Sequence, residues 1–303
     1  MSHANMVRGT FCSLGASCLF GIIYYYSTLL APLDGLEIYG WRMVVTLPCL
    51  SLFLLRAGYW HLVTGLADRL RRNKLLIFPL LASSGLLGVQ LWLFMWAPIN
   101  GKALEVSLGY LLMPLAMVLV GRLVFDEQML AFQKIAVACA AVGVANQLWR
   151  VGAISPEVLT VALGFPTYFV LRRKLRTDHL GGLWFDFLFM LPAAFWVIGN
   201  MEAPVAMLLE HSRLFFQIPL LGLLSAAGIA GFTVASRLLP LGLFGLLSYV
   251  EPMLMVAVSI LLGESILPEE ILTYSGVGLA VAILALGGAR GLLAARQGME
   301  RQT

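Results

Sequence analysis

Residues 240–262 read PLGLFGLLSYVEPMLMVAVSILL, 23 positions among which Glu251 alone carries a formal charge. An unbroken apolar run of that length is what a helix rising 1.5 Å per residue needs to cross about 30 Å of hydrocarbon. The stretch therefore predicts a transmembrane helix, with its glutamate near the middle, where bulk water does not reach. An ionised side chain at that depth costs about 2.5–3.5 kcal/mol on insertion scales. It persists only where a partner or an aqueous hollow receives it.

Working outward, comparable stretches recur at 9–31, 36–55, 75–97, 103–123, 130–149, 156–171, 180–199, 213–236 and 270–289. The chain is expected to be an all-α polytopic membrane protein of about ten transmembrane helices, the sixth being the shortest. Composition agrees. Of 303 residues 60% are hydrophobic and only 12% charged, against roughly 25% charged in soluble domains, and the mean hydropathy is +0.89. The N-terminal run is too long for the apolar core of a signal peptide, about 7–15 residues, and reads as the first retained helix. Residues 57–74 form the longest polar stretch, and 201–212 suit a short amphipathic helix at the interface. Trp60, Trp96, Trp149 and Trp196 fall near span ends, as interfacial anchors do. Cys12, Cys18, Cys49 and Cys139 lie in apolar runs without a CxxC spacing and read as packing residues, not metal ligands.

The basic residues fix an orientation. With the N-terminus in the cytoplasm, sixteen of the twenty Lys and Arg fall on the cytoplasmic side, including Arg69, Arg71, Arg72, Lys74, Arg172, Arg173, Lys174, Arg176 and Arg237. The other face holds Lys102, Arg150 and Arg213, and Arg42 lies within a span. By the positive-inside rule both termini are cytoplasmic, as an even number of spans requires.

A weak internal repeat runs through the chain. Leu47-Pro48 recurs as Leu191-Pro192 and Asp34 as Asp178, each 144 positions later. Pro114, Met117 and Val118 recur as Pro252, Met255 and Val256, and Asp126 as Glu264, each 138 positions later. Two halves are expected, 1–152 and 153–303, of five helices each. An odd helix count inverts the second half in the membrane, an arrangement typical of carriers that rock about a midplane site.

Candidate site residues follow from what lipid does not tolerate. Glu251 is joined by Arg42, about two turns into the second span, and by Asp186 at the repeat-equivalent position of the seventh. These three either line or gate an aqueous pathway, one carboxylate taking up a proton, or form structural pairs such as Arg42 with Glu37. Pro114 and Pro252 interrupt matching spans, as hinges that free a backbone carbonyl or as plain kinks. Tyr24, Gln90, Ser107, Tyr110, Tyr168, Ser248 and Tyr249 are candidates for a pocket around a small amphiphilic solute, or for packing. Glu37 and Glu105 sit at span ends within reach of solvent. No HExxH, Walker or GxSxG sequence occurs, so a membrane enzyme acting on a lipid-linked substrate is the weaker alternative, and a non-transporting scaffold has no use for a midplane carboxylate. No cofactor, metal or nucleic-acid partner is expected. The partners are the bilayer, a small solute and possibly protons.

LEVSLGYLLMPL, residues 104–115, resembles the LEASLGYFxNPL motif of the RarD branch of the EamA group in the drug/metabolite transporter superfamily. Glu37-Ile38 followed by Arg42 resembles that family's EIxxxR, and Asp186 stands where it has an acidic residue before Leu-Pro. Arg237-Leu238 through Pro252 resembles its RLxLSTLGxxQYxxPTL. The resemblance implies ten helices in two EamA repeats around a central cavity, a bacterial inner-membrane location and efflux of small metabolites. The chain departs from the motif at Thr28 (lysine in the family), Met113 (asparagine), Ser248 (glutamine) and Glu251 (glycine). A cation is lost and an anion gained, so an amino-acid-like or cationic solute is expected.

Overall fold

The computed structural model describes residues 3–99, 103–151, 155–201, 204–261 and 268–300, and they are overwhelmingly helical, with no strand among them. In chain order the helices are α1 (His3–Ser27), α2 (Gly35–Arg56), α3 (His61–Arg72), α4 (Ile77–Ile99), α5 (Ala103–Phe125), α6 (Ala131–Val151) and α7 (Pro156–Leu175). There follow α8 (Leu180–Gly199), α9 (Pro204–Glu210), α10 (Leu214–Leu238), α11 (Leu241–Leu247), α12 (Val250–Leu261) and α13 (Ile271–Glu300). Among the described residues nine stretches are long and apolar enough to cross a bilayer, with α11 and α12 together supplying one of them. The sixth expected span corresponds to α7, which is not among these nine. It is 20 residues long but carries Glu157 in its first turn and Arg172, Arg173 and Lys174 in its last.

The polarity of the fold is that of a membrane protein. Large apolar side chains point outward, with Trp149 88%, Phe216 75% and Trp196 68% exposed, while Arg42, Gln90, Arg172 and Asp186 are buried. Hydrocarbon competes for no hydrogen bond, so each helix closes its own backbone and polar side chains collect where helices meet. Trp60 packs edge-on against Trp184 at a ring distance of 5.7 Å.

Local signals set the helix ends. Asp34 and Glu37 form a reciprocal capping box at the start of α2, so Glu37 is engaged by the Asp34 N–H, 2.9 Å away, and not by Arg42. Ser155 and His179 cap α7 and α8. The polar stretch 57–74 contains the amphipathic α3, which lays Val63 and Leu66 against the bundle beside α8. A short helix, α9, also occupies the region expected to hold one.

The ninth crossing holds the main departure from a plain bundle. It is broken at Ser248-Tyr249 into two half-helices, with Pro252 in the first turn of the second. A proline has no N–H to lose there, which is why it suits a helix start. Pro114, its counterpart, sits inside the continuous α5, so the expectation that both prolines interrupt their spans holds only for the ninth.

Helix contacts run α6 with α13, α1 with α10, α5 with α7 and α11, α2 with α8 and α10, and α4 with α7 and α8. The small-residue run of α6 serves contact within the chain. A Cβ at Gly143 would meet the Thr273 carbonyl oxygen at 2.6 Å, and one at Gly276 the Cys139 carbonyl oxygen at 2.8 Å. Only glycine lets α6 and α13 approach so closely.

Candidate functional site

Where α1, α2, α4, α5, α7, α8, α10 and α12 converge they leave a cavity of about 680 Å³, its mouth included. Its wall is mostly apolar and rich in aromatic rings. Phe94 meets Tyr110 edge-on at 5.9 Å, Tyr110 meets Phe165 at 6.2 Å, and Phe165 stacks on Phe169 at 6.3 Å. Phe169 meets Phe232 at 5.9 Å, and Phe232 meets Phe20 at 5.6 Å. The six rings form one continuous belt, each pair within the distance at which edge and face attract.

Two charges of opposite sign break into this wall, Arg42 from α2 and Glu251 from α12. Arg42 is 2% exposed, and its Nε donates to Ser225 Oγ on α10 at 2.8 Å. Glu251 lies in the first turn of α12, at the positive end of that half-helix's dipole. The break before it is secured without using cavity groups. Ser248 Oγ donates to the Phe244 carbonyl at 3.0 Å, and Tyr249 Oη donates to the Leu111 carbonyl at 3.0 Å, pinning the break to α5.

A second charged cluster lies behind the wall. The Arg172 and Asp186 side chains, only 2% and 1% exposed, form an ion pair. Asp186 also accepts from Tyr168 Oη at 2.9 Å and Ser83 Oγ at 3.1 Å, while Arg172 donates to the Tyr168 oxygen at 3.1 Å and to the His179 carbonyl at 3.0 Å. Buried charge is tolerated when paired and hydrogen-bonded this thoroughly. Tyr168 belongs to both places, since its ring lines the cavity while its hydroxyl completes the ion pair.

The next residue, Arg173, pairs with Glu127 at 3.2 Å and donates to the carbonyls of Ser236 and Leu239, at 2.6 and 2.7 Å, as α10 ends. Glu127 in turn accepts the Leu241 and Gly242 N–H groups, at 2.6 and 2.8 Å, satisfying amides that a helix start leaves open. Arg69 on α3 donates to the Leu175 and Arg176 carbonyls. Together these bonds tie the basic end of the bundle.

Of the residues expected from sequence, Arg42, Glu251, Tyr110 and Tyr168 line one cavity. Tyr24 stands behind it, its ring 6.2 Å from Phe94. Asp186 is sealed in its ion pair and does not line the cavity. Gln90 is likewise buried, donating to the Thr160 carbonyl at 2.9 Å, and Ser248 and Tyr249 serve the helix break. Lys102 and Glu264 lie outside the described residues, as do the side chains of Glu105 and Ser107. Sequence reading missed the role of Arg172, assigned to a solvated loop, and of Glu127. For Arg172 the signal was present, because it stands one helical turn after Tyr168, immediately past the end of the span expected at 156–171.

These features define a polytopic, all-helical membrane protein with an internal cavity that is apolar in outline and charged at two points. No family model matches the chain. It is 43% identical to the chloramphenicol-sensitive protein RarD of Pseudomonas aeruginosa, over 93% of this chain and 95% of that one. It is 41% identical to an uncharacterized transporter of Pasteurella multocida, over 88% and 91% of the two chains, and 36% identical to another of Haemophilus influenzae, over 93% and 95%. A protein of known crystal structure, 18% identical, shares the fold with a TM-score of 0.66 over 93% of this chain and 98% of its own. The chain belongs to the RarD family, in the EamA group of the drug/metabolite transporter superfamily, and is a multi-pass bacterial membrane transporter.

Two predictions follow from the charged clusters. Replacing Asp186 with Ala leaves Arg172 buried without its counter-charge, which costs about 3–5 kcal/mol. Thermal unfolding of the detergent-purified protein should drop sharply, and the double change Arg172→Met with Asp186→Leu should recover most of it. His179 caps α8 through its ring nitrogen, which accepts the Gly182 N–H at 3.3 Å. Burial, then the nearby Arg172 and Arg237, push its pKa down from 6.5 to about 4. The folded state therefore holds His179 neutral while the unfolded chain takes up the proton, so stability falls as pH drops from about 6.5 to about 4. Melting curves across that range should flatten in His179→Asn, which caps without titrating.

Proposed function

We propose that this transporter is a secondary carrier of the bacterial inner membrane that exports a small amphiphilic metabolite by alternating access, driven by the solute's own gradient or by protons. One observation carries the reading. A cationic and an anionic side chain enter the same cavity from α2 and α12, at membrane depth, and among the described residues neither has an ion-pair partner within 4.0 Å. A scaffold gains nothing from that expense, whereas a carrier needs a place where a polar solute can shed its water.

The two-repeat organisation, 1–152 and 153–303 with the second half inverted, belongs to this reading. It is supported by the helix contacts. If α1, α2, α4, α5 and α6 exchange with α7, α8, α10, the α11–α12 pair and α13, the contact of α1 with α10 becomes that of α7 with α4. Likewise α2 with α10 becomes α8 with α4, and α5 with α7 becomes α12 with α1. The hydrogen bonds follow the same exchange, for Arg42 meets Ser225 as Asp186 meets Ser83. Both termini in the cytoplasm is supported by the uneven distribution of Lys and Arg.

In this scheme the basic end is closed. Consecutive arginines on the last turn of α7 reach in two directions, Arg172 to α8 and Arg173 to the α10–α11 turn. Opening requires both connections to yield, and Tyr168 links the first of them to whatever occupies the cavity.

Two measurements test this. In proteoliposomes loaded with a panel of radiolabelled metabolites, the protein should mediate counterflow of at least one small amphiphile, and Arg42→Gln and Glu251→Gln should each slow it about tenfold or more. Absence of counterflow across the panel would count against a carrier, and product formation would favour the membrane enzyme. Separately, a Thr233→Cys probe in a background without the four native cysteines should react slowly with an impermeant thiol reagent applied at the basic side. Adding Glu127→Gln should raise that rate about tenfold, equivalent to roughly 1.4 kcal/mol. An unchanged rate would remove the gate.

A further inference from the structure

We infer that Arg71, Arg72 and Lys74, exposed where α3 ends, form a site for the phosphodiester headgroup of an anionic phospholipid, whose chains lie over Leu75 and Phe78 as the backbone enters α4. The site is separate from the cavity and does not depend on what the cavity carries.

The segment is held firmly enough to be a site. The amphipathic α3 is only twelve residues long, and it lies against α8. Its first turn packs without clearance, since a Cβ at Gly181 on α8 would run into the Leu62 carbonyl. Trp60, just before it, rests on Trp184. At the other end Arg69 donates to the Leu175 and Arg176 carbonyls, at 2.9 and 3.1 Å, and so ties the last turn of α3 to the end of α7. Past that turn, Asn73 Oδ1 accepts the Leu75 N–H at 3.2 Å and leads the chain into α4. Arg71, Arg72 and Lys74 are thus carried on backbone fixed from both sides, with their side chains left exposed.

Their charge is not answered within the chain. Asp68 is the only acidic residue between Glu37 and Glu105. It reaches Arg71 at 3.5 Å, the two side chains being 59% and 82% exposed, and a pair so open to solvent is worth little. Arg72 and Lys74 have no acidic partner within 4.0 Å among the described residues. The positive-inside bias accounts for cations on this side of the bilayer. It does not account for their collection on a folded, pinned helix end.

The surface beside the cations makes the ligand a lipid and not a soluble anion. Leu75 is 72% and Phe78 66% exposed, and Phe78 stands four residues beyond Lys74, about 6 Å along a helix axis. Large apolar side chains so exposed face hydrocarbon, so the surface passes from cations to acyl-chain contacts within the depth of a headgroup. An anion that brings its own chains satisfies both parts. Basic residues beside a membrane span are drawn to anionic lipid, and arginine adds paired N–H donors that fit two phosphate oxygens.

The test compares lipids on the full-length protein. Purified in detergent, it should bind phosphatidylglycerol at least about tenfold more tightly than phosphatidylcholine of the same chains, read by native mass spectrometry or lipid-dependent melting. Arg72→Gln with Lys74→Gln should remove most of that preference. Arg122→Gln with Lys134→Gln, which deletes the same charge from exposed positions on α5 and α6, should keep it. Glycerophosphoglycerol, the same headgroup without chains, should not shift melting at equal concentration. The inference is overturned if the two lipids bind alike, or if the first double variant keeps the preference. It is also overturned if both double variants lose the preference equally, which would mark a diffuse field. Binding of the chain-free headgroup as tightly as the lipid would overturn it too, marking a site for soluble anions. The lipid comparison on the unmodified protein stands even where a variant fails to fold.

Discussion

An ionised group in hydrocarbon must be answered locally, and this constraint organises the whole molecule. The bilayer offers neither water nor counter-ions, so every interior charge needs a partner brought by another helix or a space that water or a solute can enter. The protein uses both solutions within one bundle. Arg172 and Asp186 exemplify the first, wrapped by Ser83, Tyr168 and the His179 carbonyl until almost no surface is left. Arg42 and Glu251 exemplify the second, held apart at the wall of a cavity. In the proposed carrier reading, the sealed pair stabilises a closed bundle and the open pair serves a cavity that is filled and emptied.

Much of the fold was legible because hydrocarbon imposes so coarse a demand. Apolar runs of about twenty residues marked all nine membrane-length stretches of the described residues, and the sixth expected span is a helix, α7, though one too polar to be counted with them. The same reasoning drew attention to Glu251 and Arg42, since a charge stands out against an apolar background whatever its neighbours. What sequence did not disclose was how charges are matched. Asp186 looked as accessible as Glu251, because the cation that neutralises it sits in another helix, fourteen residues earlier. Arg172 was hidden by its own neighbours, as one of four basic residues that read as a solvated helix end. Glu127 was hidden for another reason. Its task is to satisfy the first amides of α11, and that helix start came into view only once the ninth crossing proved to be broken. Ser248 and Tyr249 were singled out as polar residues in a span, which they are, but their hydroxyls secure backbone around the break.

The break itself explains why Glu251 can sit where it does. A carboxylate in the middle of a continuous helix faces a backbone whose N–H groups are all engaged. In the first turn of a half-helix it faces the positive end of a dipole of favourable sign. The broken ninth crossing thus lowers the cost of an anion at membrane depth without pairing it with Arg42, which leaves that charge available to a ligand.

Under the proposed repeat the two halves have diverged at one instructive point. The position 144 residues before Arg172 is Thr28, just as the position 144 before Asp186 is Arg42. One half therefore places opposite charges at the two sites, where they neutralise each other and close the structure. The other half places a hydroxyl and a cation there, and Thr28, just past α1, spends its hydroxyl on the Tyr25 carbonyl of that helix. An inverted repeat supplies two equivalent frameworks of helix and serine, Arg42 on Ser225 and Asp186 on Ser83. Function follows from filling them unequally, so that one side holds the bundle together and the other is left with a charge to give to a solute.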